Sequence, residues 1–207
     1  MVEQSLERPQ IRRDYYTLYL YMLSVVCGFH QAVLGSVTPF LRDELHLTRT
    51  AIGWHFSLYA LGLFTTGFIV TWCARRVAPR TILLTTTWLV GLVVALFALP
   101  LTQALTLAMS LALGLVGGAM QIAIQESLAR HHGEHSGVAI TEGCVFAAIG
   151  VFAGPLFVSM AVETGLGWRM AMVVPLIALL PLSLMVPKTL ARMPVNVPPA
   201  QDAGSHS

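Results

Sequence analysis

Charge is what this sequence has least of. Only 11% of its 207 residues are Asp, Glu, Lys or Arg, against roughly 25% in soluble domains. That shortage excludes a fully solvated exterior. With 56% hydrophobic residues, the chain carries more apolar surface than a core of its own could hide, and a bilayer is the matching solvent. Cysteine is scarce as well. Cys27, Cys73 and Cys144 fall in or at the ends of apolar runs, with neither zinc-ligand spacing nor a disulfide framework; they read as small apolar helix residues. Catalytic signatures are missing too. There is no His-Glu-x-x-His, Gly-x-Ser-x-Gly, Cys-x-x-Cys or phosphate-binding glycine loop, so nothing points to an enzyme, a cofactor or a resident metal. A net charge of +2 leaves no footprint for nucleic acid.

What the sequence does have is long uncharged runs. A spanning helix needs about 20 mostly apolar residues, and six stretches qualify: Tyr16–Leu41, Ala51–Ala74, Thr81–Leu99, Ala104–Leu128, Val138–Val162 and Met170–Val186. Pro100 and Pro187 close the third and sixth. Thr48 stands where a side-chain cap would start the second. Residues 1–14 form a polar N-terminal segment, 15–187 the transmembrane domain, and 188–207 a polar, proline-rich tail read as disordered. The first segment has mixed charges, no small-residue cleavage site and too long an apolar run after it for a cleaved signal. Lys and Arg set the orientation. With the N-terminus inside, Arg8, Arg12, Arg13, Arg75, Arg76, Arg80, Arg130, Lys188 and Arg192 lie on the cytoplasmic side, and Arg42, Arg49 and Arg169 opposite. Both termini are thus expected in the cytoplasm, and the chain in the plasma membrane as a multi-pass protein. No similarity between spans one to three and four to six is visible by eye.

Four segments form an ordered pattern: "PFLRDELHLTRTAIGWHFSLYALG" after the first span, "TWCARRVAPR" between the second and third, "GVFAGP" in the fifth, and "GLGWRMAM" before the sixth. Together they resemble the N-terminal six-helix half of a major facilitator superfamily transporter, over Tyr15 to Pro187. The resemblance implies an all-α membrane bundle that moves a small solute by alternating access between two six-helix halves. It also implies that Arg76 and Arg80 belong to a cytoplasmic loop or gate, where Arg75 occupies the position of the superfamily's acid. The fourth span carries no basic residue before Arg130, so coupling schemes built on a mid-helix arginine there are not expected.

Polar side chains inside a span call for a partner or a wet cavity. Ser24, Gly28, Gln31 and Gly35 share one face of the first span, with His30 beside it; Ser110, Gly114, Gly117, Gln121 and Gln125 make a similar stripe on the fourth. The resemblance implies that these two helices line the cavity, which makes Ser24, His30, Gln31, Gln121 and Gln125 the substrate-path candidates. Interhelical packing through small residues and an amide bond is the competing reading. Glu126 and Glu142 are candidates for proton coupling, or interfacial acids that are hydrated or paired with Arg130, Arg76 or Arg80. His55 reads as an interfacial histidine. His131, His132 and His135 sit in a short glycine-containing loop, where adventitious metal affinity is expected rather than a built site. Trp54, Trp72, Trp88 and Trp168 read as interface anchors.

In the fifth span Gly143, Ala147, Gly150 and Gly154 share a face, and Pro155 removes a backbone hydrogen bond. Gly150, Gly154 and Pro155 are therefore helix-packing and kink candidates. If one half needs another, that face is expected at an interface, either in a homodimer or against a second six-helix chain. The alternative function is a non-transporting membrane protein: a truncated product, an assembly partner or a sensor.

Overall fold

A computed structural model of the chain describes residues 13–74, 76–99, 102–173 and 177. All regular structure among the described residues is helical, as backbone satisfaction inside a bilayer demands. Five α-helices follow in order: α1 (Tyr15–Leu45), α2 (Arg49–Ala74), α3 (Pro79–Phe97), α4 (Gln103–His132) and α5 (Ser136–Glu163). Each matches one of the first five apolar runs, starting one to two residues earlier; α1, α4 and α5 also extend past the C-terminal end of their runs, whereas α3 stops at Phe97, two residues short of Leu99. Residues 168–173 are helical where the sixth begins, and the rest of that run lies outside the described residues. By length and composition, three helical stretches can cross a membrane: Tyr15–Leu45, Arg49–Cys73 and Gln103–Glu163. The third is α4 and α5 joined through a 3-10 turn, Gly133–His135. Thr81–Phe97 is shorter. The histidine-rich segment expected as a loop is thus largely wound, because His131 and His132 are held by α1 as described below.

Local chemistry accounts for the helix ends. Asp14 caps α1, accepting from Thr17 N at 2.9 Å. His46 closes that helix in the left-handed region at φ 51°, its N–H bonded to Arg42 O. Thr48 Oγ1 accepts from Ala51 N at 3.2 Å at the start of α2. Pro79 opens α3 in its first turn, where a missing N–H costs nothing. α5 continues past Pro155 to Glu163.

Packing follows the small residues, since lipid gives apolar side chains no reason to prefer another helix. α1 runs parallel to α5: Tyr21 meets Glu142, Gly28 meets Ala147, and Phe29 meets Phe157. α2 runs parallel to α4, with His55 against Thr106, Gly62 against Leu111 and Thr66 against Leu115. Exchanging the first three helices for the second three turns the α1–α5 pair into the α4–α2 pair. The internal repeat hidden in the sequence is therefore legible in the packing. Backbones touch in both pairs: a Cβ on Gly28 would lie 2.0 Å from Ala147 O, and one on Gly114 would lie 2.1 Å from Tyr59 O.

Two expectations need correction here. The Gly150 and Gly154 face is not free for another subunit, because both glycines are buried against α1 of the same chain. His55 is not interfacial but 2% exposed. Its Nδ1 bonds Ala51 O at 2.8 Å and its Nε2 meets Thr106 Oγ1 at 2.9 Å, joining α2 to α4. Trp168 is also buried, with the Arg169 guanidinium over its ring, whereas Trp54, Trp72 and Trp88 are exposed.

Candidate functional site

α1, α4 and α5 border a shallow recess that is open on one side. Ser24, Gln31, Gln121 and Gln125 all line it. The i, i+3, i+4 geometry of a helix puts the polar residues of α1 and α4 on facing stripes, so the structure brings these four candidates together. Gln31 Nε2 donates to Gln121 Oε1 at 2.9 Å across the two helices. It also reaches Cys27 Sγ at 3.4 Å. Ser24 Oγ donates back to Leu20 O. Gln31 Oε1, Gln121 Nε2 and both polar atoms of Gln125 have no hydrogen-bond partner among the described residues.

His30 is not part of that recess. It is 1% exposed, between α1 and α4, with Nδ1 donating to Val26 O at 3.1 Å and Nε2 lacking a partner. It occupies the notch left by Gly117, where a Cβ would come within 2.5 Å of Nε2. The α5 wall is the part that residue-by-residue reading missed: Ile140, Gly143, Cys144, Ala147 and Val151 line the recess. The small-residue periodicity of Gly143 and Ala147 marked a close helix approach, but not the partner helix.

The two acids are placed elsewhere, near the end where α1 and α5 begin. Glu142 takes a forked contact from Arg13, with Nε to Oε2 at 3.0 Å, and accepts from Tyr21 OH at 2.7 Å. The contact raises the Arg13 pKa still further, chiefly through the Glu142 hydrogen bond. Glu126 pairs with Arg130 one turn along α4. Among the described side chains the partner of Glu142 is thus Arg13, and not Arg130 or Arg76. Arg76 lies over the Trp72 ring, 4.5 Å from its centroid. Arg75 and the Arg80 side chain lie outside the described residues.

Beside this pair, Asp14 Oδ2 accepts from His131 Nε2 at 2.9 Å, and Thr17 Oγ1 donates to Asp14 Oδ1 at 2.8 Å. That uses the one hydroxyl proton, so His132 Nε2 donates to Thr17 Oγ1 at 2.9 Å. Burial alone would raise the Asp14 carboxyl, but the Thr17 and His131 contacts outweigh it and hold the group below its ordinary value. His132 is lowered by burial first and by neighbouring His131 second, against the opposing pull of Asp14 and Glu142.

The signs give two windows. A histidine depressed in the fold loses stability as pH falls below its ordinary 6.5. A depressed carboxyl contributes stability above its ordinary 3.8 that is lost as pH falls through its folded value. Melting temperature against pH is expected to fall through both windows; Asp14→Asn, which keeps a capping side chain, is expected to make the lower limb shallower, with Glu142 still contributing there, and to deepen the upper one, because Asp14 pulls His132 up. An unchanged acid limb in that variant would show that Asp14 does not titrate there. Asp14→Ala is expected to cost about 1 kcal/mol through the lost cap.

With helices, recess and ion pairs described, comparison with known proteins becomes informative. A profile of the Major Facilitator Superfamily matches residues 20–205. The chain belongs to the Major Facilitator Superfamily. It is thus a membrane protein of a transporter superfamily, and its apolar helices fit that placement. No curated protein matches the sequence closely enough to count as a relative. The α1–α5 and α2–α4 pairs are compatible with the inverted three-helix repeats found in that superfamily.

Proposed function

We propose that this chain is one six-helix half of a secondary transporter in the plasma membrane that moves a small solute by alternating access. Both termini lie on the cytoplasmic side, following the distribution of Lys and Arg. The observation that carries the reading is the open recess with its unsatisfied amides at Gln31, Gln121 and Gln125. Polar atoms left open inside a membrane bundle are costly unless a wet path or a solute completes them. A single half cannot close such a recess on both sides, so a second six-helix half completes it, either another copy of this chain or a separate one. Arg75 and Arg76 belong to the cytoplasmic connection of that assembly, and Arg80 to the first turn of α3 that follows it. Proton coupling through Glu126 or Glu142 is not part of the reading, since each carboxylate is held by an arginine.

The test is flux in proteoliposomes with a broad solute panel. Purified protein is expected to elute as an assembly of two halves and to move at least one solute. Gln31→Ala with Gln121→Ala is expected to lower that flux about tenfold or more, the equivalent of roughly 1.4 kcal/mol, while leaving the elution profile unchanged. Equal flux in the double variant, or no solute moved by the assembled protein, would overturn the proposal. The second outcome would favour a non-transporting scaffold, in which the same substitutions alter only stability or association.

A further inference from the structure

The chemistry of the recess wall restricts what it can hold. None of its lining residues is Asp, Glu, Lys, Arg or His. The carboxylates adjacent to it in sequence are both engaged: Glu142 beside Gly143 is bound by Arg13, and Glu126 beside Gln125 is bound by Arg130. Asp14, also at this end, is bound by His131 and Thr17. The lining itself therefore offers no countercharge to a charged solute, which would lose hydration there with nothing in return. What the wall does offer is two-sided. α1 and α4 present an amide edge made of Gln31, Gln121 and Gln125, each a source of both donors and acceptors. Among the same lining residues, Ile124 and Leu128 of α4 and Ile140 and Val151 of α5 supply aliphatic surface.

Resting on the transporter reading above and taking it further, we infer that the recess binds an uncharged solute that combines an amide or hydroxyl edge with an apolar body. The amide edge supplies orientation. The Gln31–Gln121 bond already holds one donor and one acceptor in place, so a bound amide or hydroxyl meets the outward-facing Gln31 Oε1 and Gln121 Nε2 without reorganising the helices. The aliphatic side supplies affinity through contact area. Rejection of ions at this wall follows from the lack of a countercharge among its lining residues.

Direct binding tests this independently of flux. Benzamide, benzoate and benzylammonium have the same body and differ in charge at the polar end. Each is added at tens of millimolar to the detergent-purified full chain, and the melting temperature is read. Benzamide is expected to raise it measurably, and benzoate and benzylammonium to leave it unchanged. The benzamide shift is expected to vanish in Gln31→Ala with Gln121→Ala, which separates the recess from partition into the micelle. An equal or larger shift with either ion, no shift with benzamide, or a benzamide shift that survives the double variant would each overturn the inference. Binding without flux would leave the recess assignment standing while sinking the transporter reading. Flux of an ion through the intact protein would do the reverse.

Discussion

Gly150→Ala is expected to lower the melting temperature in mild detergent by roughly 10 °C, using about 2–4 °C per kcal/mol for a chain of this length. A Cβ at this position lies 1.9 Å from Val25 O and 2.7 Å from Phe29 N. Both are backbone atoms, so no rotamer change relieves the overlap, and α1 and α5 must move apart. Overpacking that moves backbone costs about 3 kcal/mol or more. The seam is long: Gly28 fits under Ala147 O in the same way, so the gap opened at Gly150 strips contacts there too. Neighbouring glycines supply the scale. Gly154→Ala is expected to be milder, because its nearest atom is the Ala32 methyl at 3.0 Å. Gly35→Ala, with nothing within 4 Å, is expected to be neutral or slightly stabilising through helix propensity. If Gly150→Ala melted within a degree of the parent while Gly35→Ala did not, the α1–α5 seam would be wrongly placed.

Gly117→Ala is expected to be the second most damaging of these changes, and its damage is expected to depend on His30. The added methyl meets Nε2 at 2.5 Å. The ring cannot simply swing away, because Nδ1 is tied to Val26 O and the side chain is buried. A cost of about 1–3 kcal/mol follows. His30→Ala alone opens a cavity and is destabilising by itself. In that background, however, the Gly117 methyl occupies vacated space, so the second substitution is expected to be nearly neutral or favourable. A coupling energy of about 1 kcal/mol or more in the double-mutant cycle is the expected reading. Strict additivity would mean that the two residues do not share the notch.

Hydropathy and periodicity located the first five helices because a bilayer imposes length and apolarity on each helix separately. The amide stripes of α1 and α4 were legible for the same reason: a helix face is a property of local spacing, and Ser24, Gln31, Gln121 and Gln125 do meet around one recess. Pairing between helices was not legible. The Gly150 and Gly154 face announced a close neighbour but not that the neighbour is α1, since glycine removes an obstacle without specifying what fills the space. Arg13 illustrates the same limit for charge. It counted toward orientation as one of several basic residues, yet its carboxylate partner Glu142 is 129 positions away. His55 read as interfacial from its depth along α2, but burial depends on Thr106 of α4 waiting opposite.

The two glycine seams also determine where this bundle can give. Within the α1–α5 pair and the α2–α4 pair, backbone lies against backbone, and a tilt of one helix carries its partner with it. Between the pairs, the recess is bridged by side chains: Gln31 to Gln121 at one level, and His131 and His132 to Asp14 and Thr17 near the end. Such bonds contribute on average about 0.6 kcal/mol each between membrane helices and exchange readily with water. The bundle is thus two stiff ribs joined by a packed contact, His30 in the Gly117 notch, and by exchangeable polar ties around the recess.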